Sequence, residues 1–160
     1  MAGAARQPEA HRQRLNPRHT RQMPTEIILS LDPGNRDTFH GVVHTRLIAS
    51  AEVEFPLKVY YVRFEPTART HWHFHAGDQV LAVTSGRCRY QREGEEIREA
   101  GAGESIRFRA GVRHWHGAAP AEAAEHIAMN LECRETTWLQ EVTSAEYDPG
   151  STQPDLSDPP

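Results

Sequence analysis

Cysteine is nearly missing from this 160-residue chain: Cys88 and Cys133 stand far apart, and no C-x-x-C spacing occurs. That excludes a disulfide framework and a thiolate metal ribbon, and two such thiols read as the reduced cysteines of a cytoplasmic protein. Long hydrophobic runs are missing too, since no stretch approaches the roughly eighteen apolar residues of a membrane-spanning helix. Positive charge is not in excess. The formal net charge is −4, which gives no global reason to expect nucleic acid as a partner. Helical periodicity is scarce as well, and what remains is a chain of one domain's size, long enough to bury a proper core.

Residues 1–22 carry five arginines with His11, His19, Pro8 and Pro17 and almost nothing apolar. Such a segment cannot offset its ordering entropy, so a disordered basic arm is expected there. Met23 is a second candidate start. From Thr25 the texture changes to short strands, expected at Glu26–Leu31, Gly41–Ala49, Leu57–Phe64, Gln79–Thr84 and Arg87–Arg92. Further strands are expected at Glu96–Arg98, Glu104–Arg109, Arg113–Ala118, Glu125–Glu132 and Thr137–Val142. Turns are expected at Asp32–Asn35 and at Glu93-Gly94-Glu95. In Leu57–Phe64 both faces are apolar near the centre, which predicts cover on two sides. Thr143-Ser144-Ala145-Glu146 fits a capping box and predicts a brief helical turn over 144–148. The prolines from Pro149 onward predict a disordered tail over 149–160. The domain is therefore placed at 23–148. Many short strands with almost no helix argue an all-β sandwich or barrel, and a small barrel can enclose one ligand.

Within that series, His71, His73 and His75 alternate, so on an extended strand their side chains share one face. Gln79 follows after the break at Ala76-Gly77-Asp78, and a return strand would bring two imidazoles and an amide together. Further on, His114 and His116 again sit two apart. Imidazole suits zinc, copper, iron and nickel, and a carbonyl-type oxygen suits harder ions such as manganese. Alternating histidines alone are also compatible with a solvated strand face.

Together the two stretches resemble the cupin family. Its first motif, G-x5-H-x-H-x3,4-E-x6-G, falls on Thr67, His73, His75, Gln79 and Gly86, with Thr67 for the first Gly and Gln79 for the Glu. Its second, G-x5-P-x-G-x2-H-x3-N, falls on Gly103, Arg109, Gly111, His114 and Ala118. ARTHWHFHAGDQVLAVTSGRCRYQREG, RHWHGAAPAEAAEHIAMN and TTWLQEVTSAEY are similar, more narrowly, to small single-domain cupins that include bacterial manganese-dependent hydroxynitrile lyases. The resemblance implies a double-stranded β-helix, a jelly-roll barrel, as a homodimer. It implies a divalent ion, manganese or iron before zinc or nickel, on His73, His75, Gln79 and His114. It also implies pocket positions at Tyr60, Val62, His126 and Asn130. Departures fall at His71, Tyr60 and Asn130, which touch the pocket rather than the ligands.

Three imidazoles and an amide would leave a dication uncompensated and therefore strongly polarising. In AEHIAMN the side chains of His126, Ala128 and Asn130 share a face opposite Ile127, Met129 and Leu131. An inward His126 could act as a general base, or be a buried structural histidine. His116 and His71 are expected in the pocket rather than on the ion, and Trp72 and Trp115, on the opposite parity, in the core. Three functions fit a small-molecule substrate at such a site. They are a carbon–carbon lyase with His126 as base, an iron-dependent dioxygenase, and a non-catalytic small-molecule-binding barrel.

Overall fold

The computed structural model describes residues 32–51, 56–131 and 135–150. The expected basic arm, the strand at Glu26–Leu31 and the tail beyond Gly150 lie outside the described residues. Twelve strands and one short helix make up the rest: β1 (Asp32–Pro33), β2 (Phe39–His40), β3 (Val43–Ala51), β4 (Leu57–Phe64), β5 (Arg69–Thr70), β6 (His73–His75), β7 (Gln79–Arg92), β8 (Arg98–Gly101), β9 (Ser105–Phe108), β10 (His114–Ala118), β11 (Ala124–Leu131), β12 (Thr136–Trp138) and α1 (Ser144–Tyr147). No helix among them is long and apolar enough to cross a membrane.

The strands run in the order β1-β3-β4-β11-β7-β10-β5-β2, with β8 and β9 paired to β7 and β6 paired to β10 and β12. Every pairing is antiparallel. The pivot is β7. Its first half pairs with β11 and β9, its second with β8 and β10, so one continuous strand serves both walls of the jelly roll. The sequence suggested two strands here, interrupted before Arg87. The interruption is real as a bend: Gly86 sits at φ +66°, and a Cβ there would meet the Ala123 carbonyl at 1.8 Å. Only glycine lets the strand change sheets at that point.

Between the walls lies an apolar core that includes Val62, Phe64, Leu81, Val83, Ile106 and Phe108. Trp72, Trp115, Val142 and Tyr147 form a second, smaller cluster, which fulfils the core role expected for the two tryptophans. The capping box is formed, with Thr143 and Glu146 exchanging side chain–backbone bonds. Tyr147 donates its hydroxyl to the Ala118 carbonyl at 2.6 Å and so pins the helical turn to the barrel.

Several expectations shift. The turn expected at Asp32–Asn35 moves to residues 36–38, because Asp32–Pro33 pairs with β3 and the Asn35 side chain instead caps Asp37 N–H. The outer face of β4 is only half-covered at Val59 and Tyr61. Ile127 and Met129 are likewise half-buried, and Leu131 is exposed. Thr67, standing where the motif has glycine, adopts φ +70°, a left-handed conformation that strains a β-branched residue. Two substitutions should therefore move stability in opposite directions in urea titrations. Gly86→Ala should lose about 2 kcal/mol or more. Thr67→Gly should gain about 0.5–1 kcal/mol, relief of strain exceeding the added chain entropy.

Candidate functional site

β10 is the element that assembles the site. It pairs with β6, placing His114 opposite His73, and with β7 along its whole length. The two motif segments are also tied directly. Asp78 accepts the Ala110 N–H at 2.9 Å and pairs with Arg107, while Gly111 N–H donates to the His75 carbonyl at 2.9 Å. Asp78 was not singled out from the sequence. Its place in the break between His75 and Gln79 is the only signal it leaves there.

His73, His75, Gln79, His114, His116, His126 and Asn130 are all buried. The nitrogens of His73, His114 and His116 lie within 4.8 Å of one another, a grouping able to hold a metal ion. The His75 ring centroid is 5.1 Å from that of His73 and 5.6 Å from that of His114. Of the four residues expected as ligands, His73 and His114 belong to that group together with His116, which was expected beside the ion, while His75 and Gln79 lie next to it.

Hydrogen bonds fix the histidine tautomers. His73 Nδ1 donates to the His71 carbonyl at 2.9 Å and His114 Nδ1 to the Val112 carbonyl at 2.8 Å. A carbonyl only accepts, so in each neutral ring Nε2 carries the lone pair, the arrangement a metal-bound imidazole takes. His75 Nδ1 lies 3.2 Å from the Thr136 hydroxyl. Phe108 stacks flat on His114, with centroids 3.8 Å apart, and locks its ring. Gln79 gives the sharpest observation. Its Nε2 donates to Asn130 Oδ1 at 2.8 Å, so its Oε1 is the atom that faces His114 Nε2 at 3.0 Å. Two lone pairs at that separation repel unless a cation lies between them. The donor set therefore fits a divalent ion.

Burial keeps all of these rings neutral. It lowers His75 to about 4 and His114 and His126 to about 3. His73 and His116 fall well below the ordinary histidine range for the same reason, helped by neighbouring histidines.

A cavity of about 470 Å³ opens onto the cluster. Tyr60, Val62, His116 and Asn130 line it, as expected from the sequence. His71 does not. The chain breaks between β5 and β6, so the parity that carried His71 to the same face is lost. Its backbone bonds to Thr38, and its side chain feels Glu141 and His40 instead. His126 also departs from expectation. It does face inward, but it is wholly buried and off the cavity lining, stacked on Phe64 and in edge contact with His116 at 5.1 Å. Neither of its ring nitrogens has a hydrogen-bond partner among the described residues. Sequence reasoning missed Phe39, Trp138 and Thr70 in the lining. Phe39 and Trp138 meet edge to face at 5.8 Å, and Trp138 lies 4.7 Å from His73. The Thr70 hydroxyl accepts the His116 N–H at 3.1 Å.

These lowered pKa values set a pH dependence for the metal-free protein. An unfolded histidine titrates near 6.5, so below that pH the unfolded chain binds protons that the folded one refuses. Stability is then full above about pH 6.5 and falls as the pH drops from there toward about 3. Melting temperatures measured in chelator should decline across that window, and a flat profile would contradict the neutral cluster.

Known proteins share sequence and fold with this chain. A cupin-domain family model matches residues 60–129. An (R)-mandelonitrile lyase from Granulicella tundricola is 38% identical over 116 residues, covering 71% of this chain and 88% of that protein. A cupin-like protein from Thermotoga maritima superposes with a TM-score of 0.73 at 37% identity, over 80% of this chain and 98% of that one. A polyketide cyclase from Streptomyces resistomycificus shares the fold alone, with a TM-score of 0.53 at 15% identity over 66% of this chain and 76% of that one. Similarity of this extent to the lyase, together with the cupin-domain match, makes this chain a member of the cupin family.

Proposed function

We propose that the protein is a metal-dependent lyase that cleaves an aryl-substituted 2-hydroxynitrile to an aldehyde and hydrogen cyanide. The observation that carries this reading is the acceptor pair of Gln79 Oε1 and His114 Nε2, set beside a cavity of about 470 Å³. Similarity to a protein named (R)-mandelonitrile lyase supports the choice of reaction. His73 and His114 are the core of the ligand set, with His75 and Gln79 completing it. A divalent ion held there supplies a Lewis acid that favours negative charge on a substrate oxygen.

The chain's own residues supply the rest. The edge-to-face pair of Phe39 and Trp138 forms an aromatic wall suited to an aryl group. Tyr60, also in the lining, narrows the space toward a planar substrate. His116 is the neutral imidazole of the cavity lining that stands outside the proposed ligand set, so it, rather than His126, is the proton acceptor in reach. It takes the hydroxyl proton as the carbonyl forms and the carbon–carbon bonding pair leaves with cyanide. The proton then passes to cyanide. His126 backs the His116 ring and positions it.

Manganese-loaded protein should release benzaldehyde and cyanide from mandelonitrile. The His73→Ala/His114→Ala double variant should lose its ion, read by metal analysis, together with its turnover. His116→Ala should keep the ion while turnover drops by about 10²–10⁴-fold. Loss of the ion in that variant would make His116 a ligand instead. Oxygen uptake that requires substrate and iron, with no cyanide released, would replace the lyase by a dioxygenase.

A further inference from the structure

The carboxamide of Gln79 has two ends of opposite hydrogen-bonding sense, and the site works with only one of them turned inward. Gln79 on β7 and Asn130 on β11 are register partners, and both are buried, at 3% and 5% exposure. In the orientation found, Gln79 Nε2 donates to Asn130 Oδ1 and Gln79 Oε1 faces the histidines. Were both amides turned over, Asn130 would donate to the Gln79 oxygen and Gln79 would donate to His114 Nε2. The Gln79–Asn130 and Gln79–His114 contacts would then both be hydrogen bonds without an ion, and no amide oxygen would be offered to one. The two arrangements exclude each other.

We infer that Asn130 is a positioning residue for the metal site: by accepting from Gln79 it holds the Gln79 oxygen toward His114 and so sets the affinity for a divalent cation. The inference rests on the metal reading given above, but not on the reaction. Asn130 also lines the cavity, so the same side chain couples the ligand amide to the space where substrate sits. A residue without an acceptor at this place would free Gln79 to turn its NH2 group onto His114. A residue that can only accept would forbid that turn.

Chelator competition with manganese alone, on the full chain, tests this without any turnover assay. Asn130→Leu should weaken manganese binding by about 10- to 100-fold, the range typical of groups that orient a ligand. Gln79→Leu should weaken it too, and the Gln79→Leu/Asn130→Leu double variant should bind no more weakly than Gln79→Leu alone, because Asn130 acts through Gln79. Asn130→Asp should bind at least as tightly as the parent, and that advantage should vanish in the Gln79→Leu background. The aspartate comparison also decides the matter should the leucine variant fail to fold. Additive losses, parent-like binding by Asn130→Leu, or an aspartate gain that survives without Gln79 would each overturn the inference. A parent chain that binds no manganese would sink the metal reading itself, whereas binding that ignores Asn130 would sink this inference alone.

Discussion

Everything at this site depends on keeping buried imidazoles uncharged. A cationic histidine so deeply placed would need a counter-charge, and among the described residues no carboxylate belongs to the cluster. Neutrality leaves each ring one donor and one acceptor, and the backbone takes the donor: His71 and Val112 carbonyls receive Nδ1–H from His73 and His114. The lone pairs are thereby turned inward. The rest of the fold keeps them there, through the β10 pairings, the Phe108 stack and the Asp78 tie. A cluster of inward lone pairs is unfavourable in isolation and becomes favourable around a cation, so stability and ion binding are linked.

Much of this was legible because local rules decide it. The alternation in Leu57–Phe64 marked β4 at both its ends, and the Thr143–Glu146 spacing gave the capping box. The inward face of His126, Ala128 and Asn130 followed from the period of two, and all three are buried while Ile127 and Met129 are only half so. Depth did not follow. A strand's parity says which wall of the barrel a side chain belongs to, but not how far along the barrel axis it lies. His126 therefore came out behind the cavity rather than on it. His71 failed for another reason, since parity does not survive a break between two short strands.

The aromatic wall was illegible for a third reason. Phe39 lies in a two-residue strand far from either motif, and Trp138 pairs across β12 and β6 with His73. Their meeting is a property of the closed barrel and leaves no periodic trace. Asn130 was legible as a pocket residue, but its bond to Gln79 became visible only in the register of β11 on β7.

The dependence of the site on β10 has a consequence for how the molecule comes together. A metal module whose ligands are near neighbours in sequence can be nucleated by its ion while the chain is still unfolded. Here the local segment supplies only part of the proposed set, and His114 joins it after a long excursion through β7, β8 and β9. The closing of that loop must precede capture, and sheets built from such distant pairings form slowly. An ion held by that proposed set would therefore be captured late, after β10 has paired with β6, and would reward correct folding rather than guide it.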